Sequence, residues 1–224
     1  MYICTIKNKM KITAISDTHT KHEQIPSKYL VGGDCILHSG DISSRGSRAE
    51  IEPFLEWYSK LPFKHKIFIA GNHDFFFEEA PEYEIEALLA KYPNITYLND
   101  SGIEIDGIKI WGSPVQPWFH NWAFNRKGDE ILKHWDMIPL DTNILLTHGP
   151  IYGYLDKTKS GEVVGCPYLS NKLKDFTNLK LHQCGHIHEG YGSFQFADGP
   201  LLINASVLNV NYKMANKPFE INIM

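Results

Sequence analysis

Five times along this chain a short apolar, β-branched run breaks off into a sharp turn rich in Asp, His, Asn and Gly. The turns are Asp17-Thr18-His19, Gly40-Asp41, Gly71-Asn72-His73-Asp74, Thr147-His148-Gly149-Pro150 and Gly185-His186-Ile187-His188. In an α/β sheet, loops at the carboxyl ends of strands converge on one crevice. The recurring pattern therefore demands a fold that brings five such ends to one side.

The segments between the turns agree with a layered α/β arrangement. Lys11 to Ser16, Cys35 to His38 and Lys66 to Ala70 read as strands. Ser47 to Lys60 reads as a helix. Ser47 and Glu50 form a capping box, and Ile51, Phe54, Leu55 and Tyr58 fall on one face. Pro53 argues for a late start or a kink. A second helix is predicted over Glu82–Tyr92, stopped by Pro93. The order β-β-α-β-α implies parallel pairings.

The second half has more hairpin character. Asp106-Gly107 joins Ile103–Ile105 to Ile108–Ile110, and Ala197 to Pro200 joins Phe194–Phe196 to Leu201–Ile203. Ile144–Leu146, Leu179–Cys184 and Phe219–Ile223 read as further strands. A mixed sheet, or two sheets face to face with helices outside, fits this order.

The chain has 224 residues, enough for one large domain with its own core. We expect a single domain over 1–224. A net charge of -4 gives no positive field for duplex DNA or a membrane surface. No apolar run approaches a membrane span, and Met1 to Met10 lacks the apolar core of a secretory signal. Cys4, Cys35, Cys166 and Cys184 form no C-x-x-C pair, so they read as reduced, mostly buried thiols of a cytoplasmic protein. The unusual residue is histidine, at eleven copies.

The five turns offer nitrogen and oxygen donors and no thiolate, an inventory suited to Mn²⁺, Fe or Zn²⁺. Asp17, His19, Asp41, Asn72, His148, His186 and His188 are seven candidate ligands. One metal takes about four at most, so seven fit two metals if one carboxylate bridges. Ions about 3.5–4 Å apart can share a hydroxide and grip the oxygens of a phosphoryl group in displacement. Two divalent ions, two aspartates and a hydroxide leave a charge of about +1, which a phosphodiester monoanion would neutralise.

The ordered motifs D-x-H, G-D, G-N-H-D, T-H-G and G-H-x-H resemble those of the calcineurin-like metallophosphoesterases. The longer stretches resemble the small MPPED-type branch: Gly40 to Gly46, Gly112 to Phe119, Asn121 to Asn125, Leu146 to Pro150 and Gly185 to Gly192. The resemblance implies a four-layer αββα sandwich of two mixed β-sheets flanked by helices. It also implies a dinuclear phosphodiesterase supported first by Mn²⁺, acting on small phosphoesters that include cyclic nucleotides. By resemblance Asp17, His19 and His188 hold one metal, Asn72, His148 and His186 the other, and Asp41 bridges. His73 is the family's non-ligand histidine, placed to donate a proton to the leaving oxygen or to stabilise the developing charge.

One departure stands out. Phosphatase relatives place an Asp three residues after the bridging one to orient that histidine, and here Ser44 stands there. Either another group orients His73, with Asp74 the candidate substitute, or the contribution of His73 is weaker.

Other residues have competing readings. Arg45 is either an exposed helix-entry residue or a phosphate clamp. Tryptophans and phenylalanines between Trp111 and Trp135 ordinarily pack a core. Beside a metal site Trp118, Phe119 and Trp122 could instead stack on a nucleobase. His38 reads as a satisfied core histidine, whereas His22, His65, His120, His134 and His182 read as surface residues or supports of the site. Glu189 is placed to support a ligating histidine. A phosphomonoesterase or protein phosphatase is the alternative activity. A non-catalytic scaffold is a third reading, but its signature would be missing ligands, and all seven are present.

Overall fold

The computed structural model describes residues 9–224. Cys4 and most of the segment read for a signal lie outside the described residues. The chain opens with β1 (Met10–Ile15), β2 (Gly33–Ser39), α1 (Arg48–Ser59) and β3 (Phe63–Ile69). The short α2 (Phe76–Glu79), α3 (Glu82–Leu89) and β4 (Ile95–Tyr97) follow. Next come β5 (Ser101–Ile105), β6 (Ile108–Ser113), the two-residue strands β7 (Gln116–Pro117) and β8 (Asn125–Arg126), and α4 (Glu130–Asp136). The chain ends with β9 (Ile144–Thr147), α5 (Pro167–Lys172), β10 (Leu181–Cys184), β11 (Gly192–Gln195), β12 (Leu201–Asn204) and β13 (Phe219–Ile223).

Two mixed sheets result, ordered β13-β1-β2-β3-β4 and β11-β12-β10-β9-β6-β5. Strands β1 to β4 run parallel, and β13 closes that sheet antiparallel to β1. In the second sheet β12, β10, β9 and β6 run parallel, with an antiparallel strand at each edge. All the parallel carboxyl ends open toward one rim.

Strand alternation explains the layering. Successive side chains point to opposite faces of a strand. Cys35, Leu37, Ile67 and Ile69 meet Ile144, Leu146, Leu181 and Ile203 of the other sheet in one core. The intervening Ile36 and Phe68 face α1 and its Phe54, Leu55 and Tyr58. Leu145 and Leu202 face α4 and α5 through Ile131, Trp135 and Leu169. Three apolar layers separate four structural ones, the αββα sandwich. Gln183 pins the sheets together, its buried Nε2 donating to the carbonyls of Ile15 and Leu37 at 3.0 and 3.1 Å.

Local signals explain most boundaries. The Ser47–Glu50 capping box starts α1 at Arg48, and Pro53 lies inside the helix rather than delaying it. The second predicted helix is shorter than expected. It ends at Leu89, and tight turns with Lys91 N–H bonded to Leu88 O and Tyr92 N–H bonded to Leu89 O carry the chain to Pro93. Asp106 and Gly107 both have positive φ, 50° and 79°, the signature of the turn expected between β5 and β6.

Tyr58 ties α1 to the first sheet, with its hydroxyl 2.9 Å from Ile36 O and 2.8 Å from Ile67 O. Removing a buried donor strands its acceptor, which costs about 1–3 kcal/mol. Tyr58→Phe is expected to lower the unfolding free energy by that amount, read as a fall in the urea midpoint at unchanged slope, without altering metal content. An unchanged midpoint would refute this role.

Candidate metal centre

Each turn predicted from the sequence follows a strand of the rim. Asp17 and His19 follow β1, Asp41 follows β2, and Asn72 and His73 follow β3. His148 follows β9, and His186 and His188 follow β10. Asp17, His19, Asp41 and His186 hold positive φ of 54°, 39°, 57° and 65°. For residues with a side chain this conformation is sparsely populated, and it concentrates at functional sites. Hydrogen bonds keep it: Asp17 N–H to Gly40 O and His19 N–H to Asp41 O, both 3.0 Å, and His186 N–H to Asp17 Oδ1 at 3.0 Å.

The seven candidate ligands gather in two groups. Donor atoms of Asp17, His19 and His188 lie within 4.8 Å of one another, as do those of Asp41, His148 and His186. Asp41 stands between them. Its Oδ2 lies 3.5 Å from His19 Nε2, and its Oδ1 lies 3.3 Å from His148 Nε2. Asn72 joins the second group through Oδ1, 2.9 Å from His148 Nε2.

The imidazoles are oriented by their outer nitrogens. Nδ1 of His19, His148 and His188 lies 3.1, 2.9 and 3.0 Å from the carbonyls of Ser43, Ser39 and Asn209. A carbonyl can only accept, so Nδ1 carries a hydrogen and Nε2 is the ring nitrogen turned inward. His186 makes no such bond among the described residues. Its ring lies 5.0 Å from those of both Phe119 and His148.

The site fits divalent cations. His19 Nε2 is buried and has no hydrogen-bond partner among the described residues, although it points at two carboxylates. Burial costs an unpaired polar atom dearly unless something is meant to bind it. Two glycines make room for this crowding. A Cβ on Gly71 would collide with Asp41 and His148, and one on Gly185 with Asp17 and Ser16.

Electrostatics keep the carboxylates ionised. Burial opposes the charge on Asp41, but His148 and His19 hold it well below the usual range. Burial likewise opposes Asp17, and His188 overcomes it. Burial also works against a charge on His148 and His188, yet Asp41 and Asp17 respectively lift them to about 9. Burial draws His186 down to about 3 and lowers His19.

His73 lies beside the carboxylates, its backbone N–H donating to Asp41 Oδ1 at 2.9 Å. Its Nδ1 is 2.7 Å from the backbone oxygen of Ser44. The expected orienting carboxylate is thus replaced by a carbonyl of the same residue position. Asp74 does not orient the ring. It is fully buried and accepts from the backbone N–H groups of Ile42, Ser43 and Gly71, holding the turns together. Burial, with Asp41 nearby, pushes it up to about 6.

A pocket of about 360 Å³ opens over these groups, and Phe119, Trp122, Glu189, Val210 and Tyr212 complete its wall. Trp122 packs on the His73 ring at 4.4 Å between centroids. Trp118 lies outside this wall, 47% exposed and under the Lys127 ammonium at 4.0 Å. Arg45 is also exposed and outside the wall.

The other histidines separate clearly. Gly40 N–H donates to His38 Nδ1, so His38 Nε2 donates to Thr18 Oγ1 at 3.0 Å, and burial takes this imidazole down to about 3. His182 is buried and braces Thr147, beside His148, at 2.8 Å. His22 is buried rather than surface, packed on Phe54 and Trp57.

Several supports had no reading from the sequence. Ser206 Oγ is 2.7 Å from Asp17 Oδ2, and Asn204 Nδ2 donates to the carbonyls of Gly185 and Ile187. Both lie at the end of β12 or just past it, so the strand-then-polar-turn rule could have found them. Tyr212, 4.9 Å from the His19 ring and 5.3 Å from that of His188, lies in a loop with no such signal.

A profile of the calcineurin-like phosphoesterases matches residues 10–190. The chain belongs to that family. The human metallophosphoesterase domain-containing protein 1 is 39% identical over 95% of this chain and 71% of its own length. A Caenorhabditis elegans UPF0046 protein is 33% identical over 97% of this chain and 82% of its own. The fold is similar to that of the Thermus thermophilus protein TT1561, with a TM-score of 0.63 over 96% of this chain and 99% of that one, at 16% identity. As a calcineurin-like phosphoesterase the protein is a hydrolase of phosphoesters, and the family implies a dinuclear divalent metal centre. No helix among the described residues is long and apolar enough to cross a membrane.

Proposed function

We propose that this calcineurin-like phosphoesterase is a phosphodiesterase of small substrates, cyclic nucleotides among them, acting as one domain in the cytoplasm. Asp17, His19 and His188 would hold one divalent cation and Asn72, His148 and His186 the other, with Asp41 shared. Nitrogen and oxygen donors without thiolate favour Mn²⁺, with Fe and Zn²⁺ also accommodated. When bound, the cations supply Lewis-acid charge for phosphoryl oxygens and lower the pKa of an attacking water.

The diester reading rests on the wall of the pocket. Among the described residues it contains no Lys or Arg, and Glu189 adds a carboxylate. Two divalent cations, less the two aspartates and one hydroxide, would leave about +1, which suits a monoanion. A monoester dianion would ask for a further cation, and the exposed Arg45 stands outside the wall. Phe119, Trp122 and Tyr212 offer flat apolar surface for an organic ester group.

His73 supplies the proton. In its protonated form Nδ1–H is given to the Ser44 carbonyl, and Nε2–H is left for the departing ester oxygen. Trp122 and the edge of His19, at 4.7 Å, keep the ring from turning.

The test is a matched pair of aryl esters assayed with Mn²⁺. We expect kcat/KM for bis(4-nitrophenyl) phosphate to exceed that for 4-nitrophenyl phosphate by about tenfold, some 1.4 kcal/mol. A preference for the monoester would overturn the reading.

A further inference from the structure

A second cavity, of about 540 Å³, adjoins the metal pocket, and Phe119 and His186 line both. Its wall is largely apolar, with Pro117, Trp118, Pro150 and Val164. Gln116 also lines it and is only 1% exposed. Its Oε1 is buried with no hydrogen-bond partner among the described residues.

The polarity of that amide is set by its neighbours. Gln116 and Asn125 face each other across the β7–β8 ladder. Asn125 Nδ2 donates to the carbonyls of Phe119 and His120, at 2.7 and 3.2 Å. Asn125 therefore presents Oδ1 to Gln116, and only the Gln116 amide nitrogen can answer, at 2.9 Å. Turning either amide over would set like groups against each other. Oε1 is thus left as a fixed acceptor. Gly149 stands next to it without a side chain, and a Cβ there would lie 3.6 Å from Oε1.

We infer that this cavity receives one ester group of the substrate, a flat apolar group bearing an N–H or O–H donor, and that Gln116 Oε1 reads the donor. The inference rests on the phosphoester reading of the adjoining pocket. An unpaired buried acceptor penalises a ligand that brings no donor, so Gln116 is a specificity residue rather than a catalytic one. Glu162 also lines the cavity, but it is exposed, and its Oε2 already accepts from Ser160.

The test uses monoanions that cannot be hydrolysed. Benzenesulfonate and its 3-amino and 4-amino derivatives are titrated calorimetrically into Mn²⁺-loaded protein. The better amino isomer is expected to bind about tenfold more tightly than benzenesulfonate. Gln116→Met, confirmed folded by its thermal transition, should bring the two within about twofold. Equal affinities in the wild type, which needs no folded variant, would overturn the inference. So would a preference that survives Gln116→Met, or no binding of any of the three. Amino-group preference in a protein that turns over monoesters instead would sink the diester reading and leave this one standing.

Discussion

Asp41→Ala is expected to empty both metal positions and to lower diester kcat/KM by about a thousandfold. Each carboxylate oxygen of Asp41 faces a different histidine, His19 on one side and His148 on the other. The same oxygen that faces His148 also takes the backbone N–H of His73. Removing the carboxylate takes one donor from each group at once, whereas Asn72→Ala takes one from the second group alone. The lost Lewis-acid stabilisation is several kcal/mol, and about 4 kcal/mol corresponds to a thousandfold. Metal analysis by mass spectrometry should show about two ions per wild-type chain and none retained by the variant after dialysis. EDTA-treated wild type should match the variant in rate and recover with Mn²⁺, while the variant should not. A variant that keeps two ions would show that Asp41 is not shared.

The strand ends were legible because a strand buried on both faces leaves near-continuous apolar sequence, as in Ile144–Leu146, which then stops at polar residues. Order did the rest: five turns after five strands can only be gathered if the strands run together. The elements missed were short. α4 and α5 have seven and six residues, about two turns or less, so their apolar period barely repeats before it ends. β7 and β8 are defined only by each other, and their importance lies in one amide pair. The anchor of His73 was illegible for a different reason. A backbone carbonyl exists at every position, and nothing in Ser44 as a residue type announces that its oxygen would be aimed at an imidazole. Asp74, the residue that chemistry suggested, is spent on three backbone N–H groups and cannot also reach outward. Tyr212 illustrates the remaining gap. It reaches the histidines from a loop far along the chain, and the contact depends on where β13 returns that loop beside β1.

His73→Ala is expected to leave both metals bound and to slow turnover by about 10²–10⁴-fold when the leaving group is an alkoxide. The ring is not needed to build either ligand group, since its backbone N–H makes the bond to Asp41 and alanine retains that N–H. A proton donor matters in proportion to the basicity of the oxygen that departs. The loss should therefore shrink several-fold for 4-nitrophenolate, which leaves unaided, and deepen as the leaving alcohol becomes more basic. A uniform loss across leaving groups would assign His73 to charge stabilisation instead. Ser44→Ala provides the internal control. If a side chain oriented the ring, it would fall with the hydroxyl. The Ser44 carbonyl survives the substitution, so kcat should stay within about twofold of wild type and keep its dependence on the leaving group.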